Sequence, residues 1–127
     1  MIKISCIFCN LPENRIKLKN EYAIAIYDKY PVNEGHMLII PRRHFKNYFE
    51  AADEEILALN NLLKEARDYL AANYNPDGYN IGVNINEPAG QTIMHLHIHL
   101  IPRYKGDIDD PRGGIRKLKK ELVPYKG

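Results

Sequence analysis

The run His95-Leu96-His97-Ile98-His99 sets three of the protein's five histidines two residues apart. In an extended strand alternate side chains share a face, so the imidazoles line one side and Leu96, Ile98 and Leu100 the other. The apolar set suits a core. An imidazole row is costly to bury unless its nitrogens are hydrogen-bonded or coordinate something. Two chemistries fit: metal ligation by imidazole, or attack of a neutral imidazole nitrogen on phosphorus, giving a phosphoramidate that water later hydrolyses. Neighbouring imidazolium, hydroxyl or amide donors would stabilise the charge on the phosphoryl oxygens. The preceding loop, Ala89-Gly90-Gln91-Thr92, helps the second chemistry. Gly90 lets backbone amides come close to a ligand, and Gln91 and Thr92 add hydrogen-bonding side chains.

Both cysteines lie in Cys6-Ile7-Phe8-Cys9. This spacing is half of a tetrahedral zinc site. It is also compatible with a redox pair, though Cys6 does not precede a helix in a βαβ context, or with two small buried apolar residues.

The elements that must position these groups read as follows. The segment through Leu18 is expected to be irregular, with Pro12 and Asn14 marking a turn. Residues 22–27 and 37–40 are short apolar runs rich in sheet formers, the second stopped by Pro41. The polar loop between them, with Pro31, Asn33 and Gly35, predicts an antiparallel hairpin. Asp53 to Tyr74 is a helix with Asp53 as N-cap and acids in its first turn. Ile56, Leu59, Leu63, Ala66 and Leu70 form its apolar stripe. Residues 79–85 alternate as a third strand with Ile81, Val83 and Ile85 on one face. Residues 94–101 form a fourth, ended by Pro102. The fold class is α+β: a mostly antiparallel sheet meander with a main helix packed on it. Residues 1–127 read as one domain with a basic tail from about residue 105, which includes Arg116-Lys117-Leu118-Lys119-Lys120.

Composition narrows the classes. The chain has 127 residues, 45% hydrophobic and 27% charged, as an ordinary globular domain does. A net charge of +2 is too small to imply a nucleic-acid partner. No window of about 18 apolar residues suggests a membrane span, and Met1-Ile2-Lys3-Ile4-Ser5 lacks the pattern of a secretory signal. A cytoplasmic location is the expectation.

Gly90-Gln91-Thr92 followed by His95-Leu96-His97-Ile98-His99-Leu100-Ile101-Pro102-Arg103 closely resembles the signature of the histidine-triad family. The resemblance extends through Cys6-Ile7-Phe8-Cys9, Ala25-Ile26-Tyr27-Asp28 and Gly35-His36-Met37-Leu38-Ile39-Ile40-Pro41, and so covers nearly the whole chain. It implies a nucleotide hydrolase or transferase in which His97 attacks an α-phosphate through a nucleotidyl-histidine intermediate. It implies that His36 and His99 face the phosphate and that Asp28 binds the ribose hydroxyls. Asn84, Gly90, Gln91 and Thr92 would lie at the phosphate, and Phe8, Ile7, Leu11, Ile26 and Leu38 around the base. Taken alone, Asp28 and His36 are also turn residues and Asn84 a solvent-facing strand residue. The resemblance further implies that Cys6, Cys9, His44 and His95 hold a structural zinc ion, and that the chain pairs as a homodimer. The tail Asp110-Pro111-Arg112-Gly113-Gly114-Ile115-Arg116 is similar to those of bacterial members of the dinucleoside polyphosphate branch, where Arg112, Arg116 and nearby lysines could contact distal phosphates or form a solvated basic tail. An AMP-amidate hydrolase and a nucleotide-binding regulatory protein are the alternatives.

Overall fold

The apolar runs at residues 22–27 and 37–40 become the centre of the sheet. A computed structural model describes residues 5–119 and residue 124, so Met1 to Ile4 and Lys120 of the basic run lie outside the described residues. The strands are β1 (Ile16–Lys19), β2 (Ala23–Tyr27), β3 (Met37–Pro41), β4 (Gly78–Gly82) and β5 (Ile98–Arg103), with one long helix, α1 (Asp53–Tyr74), between β3 and β4. All pairings are antiparallel, in the order β1-β2-β3-β5-β4. The α+β expectation therefore holds. The meander runs through β1–β3, and after the helix the β4–β5 pair joins with β5 innermost.

Both faces of β2 and β3 are covered, which is why they read as unbroken apolar runs rather than alternating ones. Ala23, Ala25, Met37, Ile39, Ile98 and Leu100 form one core with Leu59, Leu62, Ala66 and Leu70 of α1. Ile24, Ile26, Leu38 and Ile40 form a second core, capped by Cys6 and Phe8 of the N-terminal segment.

Several local expectations are corrected. The stretch through Leu18 is not wholly irregular: a short 3-10 turn at Glu13–Arg15 leads into β1, which pairs with β2 through a bulge between Ile16 and Leu18. A four-residue edge strand alternating Ile-Lys-Leu-Lys carries too few apolar positions to stand out in sequence. Pro41 is the last residue of β3, as expected, whereas Pro102 does not end β5, which runs on to Arg103. The β3–β5 ladder covers only Met37–Ile39 against Ile98–Leu100, so neither proline interrupts it. Arg42 N–H donates to Tyr22 O, so Pro41 faces the other way, where its carbonyl accepts from a side chain. Asp53 is the first helical residue rather than the N-cap. Ala52 holds that place, and its N–H is taken by the Glu55 carboxylate at 2.9 Å. The buried stripe is Ala58, Leu59, Leu62, Ala66 and Leu70, with Ile56 and Leu63 only half-buried. The third strand ends at Gly82, and Ile81 is 51% exposed on the sheet edge. The fourth begins at Ile98, so His95, in a bend, and His97 sit ahead of it. There Leu96 N–H bonds Phe45 O rather than a neighbouring strand. The alternation survives: Leu96, Ile98 and Leu100 are in the helix-side core and the three histidines on the opposite side.

No helix among the described residues is long and apolar enough to cross a membrane.

Candidate functional site

On the face of the sheet away from α1, a cleft of about 630 Å³ opens between the N-terminal segment and the loops before β5. Cross-strand partners Ile26 and Leu38 form its floor, and Ile7, Phe8 and Leu11 its apolar wall. At the other end stand His97, His99, Asn84, Gly90 and Thr92, with Asp28 on the rim. Eleven of the expected nucleotide-site residues thus converge on one cavity. Two do not line it. Gln91 is 2% exposed and turned inward. Its Oε1 accepts from Asn86 N (2.8 Å) and its Nε2 donates to Lys46 O (2.8 Å) and Ile93 O (3.1 Å), so its amide pins the loop rather than facing the cleft. That loop turns at Gly90, whose φ of +99° favours glycine. His36 lies behind His99. Conversely, Arg15 and Lys29 line the cleft unforeseen, because neither carries a periodic or motif signal. Arg15 is anchored by donation to Tyr27 O at 3.2 Å.

Hydrogen bonds with known direction set the imidazole tautomers. Val32 N–H donates to His36 Nδ1 (3.0 Å), so the His36 proton is on Nε2. That nitrogen lies 3.0 Å from His99 Nδ1 and 3.3 Å from Asp28 Oδ2. With His99 Nδ1 accepting, the His99 proton is on Nε2. Burial pushes the His36 pKa down against the pull of Asp28. Burial, with the nearby His97 and His36, pushes His99 to about 4. Both imidazoles are therefore neutral at pH 7, as the relay requires. His97 differs. Its Nδ1 is 2.9 Å from the His95 carbonyl, which can only accept, so Nδ1 carries the proton and Nε2 a lone pair. The Phe8 ring packs edge-on against His97, centroids 5.1 Å apart. Asp28, His36 and His99 converge closely enough to suggest a cation site, but their facing atoms are already bonded to one another.

A second cluster gathers Cys6, Cys9, His44 and His95, with one donor atom each, all within 4.8 Å of one another. Cys6 Sγ–His95 Nδ1 is 3.4 Å, Cys9 Sγ–His44 Nδ1 3.4 Å, Cys9 Sγ–His95 Nδ1 3.6 Å and His44 Nδ1–His95 Nδ1 3.1 Å. A tetrahedral zinc ion with bonds of about 2.3 Å to sulfur and ~2.0 Å to nitrogen sets such edges at roughly 3.6 and 3.3 Å, so the donor set fits zinc. The His95 tautomer fits too. Its Nε2–H donates to Pro41 O at 2.8 Å, the carbonyl left outside the ladder, and this turns an unprotonated Nδ1 to the cluster. Burial lowers the pKa of His95 and raises that of Cys6. His44 is placed by its neighbours. Arg43 forms a two-pronged ion pair with Glu55 (2.8 and 3.0 Å) and stacks 4.3 Å over the Phe45 ring. Arg43 in turn holds the Glu55 carboxyl below its usual range.

The HIT domain model matches residues 11–106. A HIT-like protein of Mycoplasma pneumoniae is 38% identical over 83% of this chain and 76% of its own. An AP-4-A phosphorylase of Mycobacterium tuberculosis is 29% identical over 75% of this chain and 49% of its own. The crystal structure of a Zn-bound histidine triad family protein from Mycobacterium smegmatis superposes with a TM-score of 0.73 at 28% identity, covering 96% of this chain and 85% of that one. The chain belongs to the HIT domain family.

Proposed function

We propose that this protein is a hydrolase or transferase that cleaves the α-phosphate of an adenine nucleotide from its leaving group, with dinucleoside polyphosphates as substrates. The observation that carries the reading is the His97 Nδ1–H···O=C bond to His95, which leaves the Nε2 lone pair as the nucleophile. In the first step Nε2 forms a bond to the α-phosphorus while the P–O bond to the leaving phosphate breaks, its electron pair leaving with that oxygen. The Nδ1 proton stays on the ring, and the His95 carbonyl stabilises the charge that develops there. In the second step water attacks phosphorus and gives up a proton. The P–N pair returns to Nε2 and the nucleoside monophosphate is released.

The remaining groups take roles from their positions. Phe8, Ile7, Leu11, Ile26 and Leu38 hold the base, and Asp28 the ribose hydroxyls. Asn84, Thr92, the Gly90 backbone and the His99 Nε2–H donate to the phosphoryl oxygens. His36 acts through His99 and Gln91 through its loop, as positioning residues. Cys6, Cys9, His44 and His95 hold zinc. Four protein ligands leave no open coordination position, so the role is structural. The AP-4-A phosphorylase relative supports the substrate class.

A homodimer, one domain through residue 127 and a cytoplasmic location belong to the same proposal. The exposed Ile81 on the β4 edge supports the first. Incubation with dinucleoside polyphosphates and AMP-amidates, followed by acid quench and intact-mass measurement, tests the chemistry. Turnover with a nucleotidyl adduct on wild-type protein, absent in His97→Ala, is expected. Turnover that survives His97→Ala would refute the assignment of the nucleophile.

A further inference from the structure

The cleft carries its full charges on one rim, beside the end of β2. Arg15, Asp28 and Lys29 are the only Lys, Arg, Asp or Glu among the described residues that line it. Around His97 the lining offers imidazole, amide and hydroxyl groups instead. The strand register explains the gathering. β1 pairs with β2 so that Ile16 faces Ile26, which sets Arg15 beside Tyr27, and Arg15 Nη2 donates to the Tyr27 carbonyl at 3.2 Å. Asp28 and Lys29 are the next two residues of the chain. The fold leaves both cations unspent. Arg15 is half-buried, bonds only that carbonyl among the described residues, and has further N–H donors on its guanidinium. The Lys29 ammonium has neither a hydrogen bond nor an ion pair among the described residues. Asp28 does not pair with them. Its Oδ1 accepts Tyr30 N–H at 2.9 Å and its Oδ2 faces His36 Nε2 at 3.3 Å.

We propose that Arg15 and Lys29 form a subsite for a phosphate carried on the ribose, so that the cleft takes adenine nucleotides phosphorylated at the 2′ or 3′ hydroxyl as well as at the 5′ position. The inference rests on the reading of Asp28 as the group that binds the ribose hydroxyls. Those hydroxyls are vicinal. With one accepted by Asp28, its neighbour on the ring is brought to the cations beside that carboxylate. A free hydroxyl does not balance two positive charges, whereas a phosphate dianion does, and the planar guanidinium fork matches its oxygens. Dinucleotide sites divide the work in the same way: an acid serves a free ribose hydroxyl, and a nearby arginine a phosphorylated one.

Titration calorimetry tests this with AMP, ADP, adenosine 2′,5′-bisphosphate and adenosine 3′,5′-bisphosphate. The proteins are wild type, Lys29→Ala, Arg15→Ala/Lys29→Ala and, as a charge control, Lys64→Ala on the exposed side of α1. One of the two bisphosphates is expected to bind wild type about tenfold more tightly than AMP, the size of one charge-assisted hydrogen bond. The gain should shrink in Lys29→Ala, which removes no side-chain bond among the described residues, vanish in the double variant and persist in the control. It should also diminish as salt rises. Neither bisphosphate exceeding AMP, or a gain that survives the double substitution, would overturn the subsite. So would an equal gain for ADP with the same dependence on Arg15 and Lys29, since the cations would then serve the 5′ phosphate chain. Every arm reads binding alone. A wild type that shows the gain yet turns over no nucleotide would therefore sink the proposed function and leave the subsite standing.

Discussion

His95 joins the two halves of the site, and this yields a prediction with a magnitude. Its ring is fully buried in the Cys6–Cys9–His44 cluster, while its backbone carbonyl accepts the Nδ1–H of His97. The cluster also ties down the segment between the two cysteines. Its Phe8 is 8% exposed and packs against the rings of His95 and His97, 5.9 and 5.1 Å away. Stripping the proposed zinc ion with a chelator is therefore expected to loosen both the apolar wall and the peptide that sets the tautomer. Burial of a Phe-sized side chain stabilises by about 1.5–3 kcal/mol. If only half of that is expressed against a bound base, nucleotide affinity falls roughly three- to tenfold. One neutral hydrogen bond biases the His97 tautomer by about 1 kcal/mol, so the reactive fraction falls up to roughly fivefold. Titration calorimetry with AMP on metal-loaded and chelated protein measures the first effect. The 15N shifts of the His97 ring report the second without any turnover, and circular dichroism checks that the fold persists. An unchanged AMP affinity together with an unchanged His97 tautomer in metal-free, folded protein would refute the coupling.

The remaining predictions concern stability and binding. Gln91→Leu is expected to destabilise by about 2–4 kcal/mol in urea titration, because Asn86 N–H, Lys46 O and Ile93 O lose their partner in a buried place. The same variant should raise the KM for nucleotide as the Gly90–Thr92 loop loosens. Leu62→Ala, at a fully buried position of α1, is expected to cost about 2–5 kcal/mol without altering the pH dependence of turnover. The lowered His99 and His36 pKa values make stability pH-dependent. The unfolded chain protonates these histidines near 6.5, while folded His99 resists to about 4, so the unfolded state binds more protons between those values. Their contribution is whole above the unfolded pKa and is lost as pH falls toward 4. A urea midpoint series should slope downward with acid across that window and flatten in part in His99→Asn. An identical slope in the variant would remove His99 from the account.

Much of the scaffold was legible, and the failures have physical causes. The bounds of α1 came from its capping acids and from Pro76-Asp77-Gly78, with no tertiary information needed. Its buried face was read slightly out of place, because the Arg43 ion pair makes Glu55 a buried residue and turns Ile56 aside. Pro102 misled because a strand-breaking rule assumes a neighbour that needs the missing N–H, and here the β3–β5 ladder stops short of it. For the site, the histidine row and the family resemblance it carries found the groups that line the cleft. They missed Arg15 and Lys29, whose place depends on how an unremarkable edge strand and a turn meet across the sheet. They also misread the direction of Gln91, since an amide in a glycine loop serves either a ligand or the loop itself, and only the positions of Asn86, Lys46 and Ile93 decide between them.

The histidine row shows why alternation alone under-describes such a strand. Equal spacing suggests equal roles, yet each imidazole is fixed by a partner from a different part of the chain. The carbonyl that binds the His95 ring belongs to Pro41, free because β3 outruns its ladder with β5. The carbonyl that binds His97 belongs to His95 itself. The proton that His99 accepts comes from His36, whose own tautomer is set by Val32 N–H in the loop before β3. Because the first two of these fall ahead of β5, their backbone groups are not consumed by strand pairing and remain available to orient rings. A regular strand extending back to Met94 would have turned the His95 carbonyl into a ladder acceptor and left the His97 tautomer unset. The late start of β5 thus lets one row of three like residues turn a lone pair of His95 Nδ1 to the cysteines, a lone pair of His97 Nε2 outward and the Nδ1 of His99 to His36.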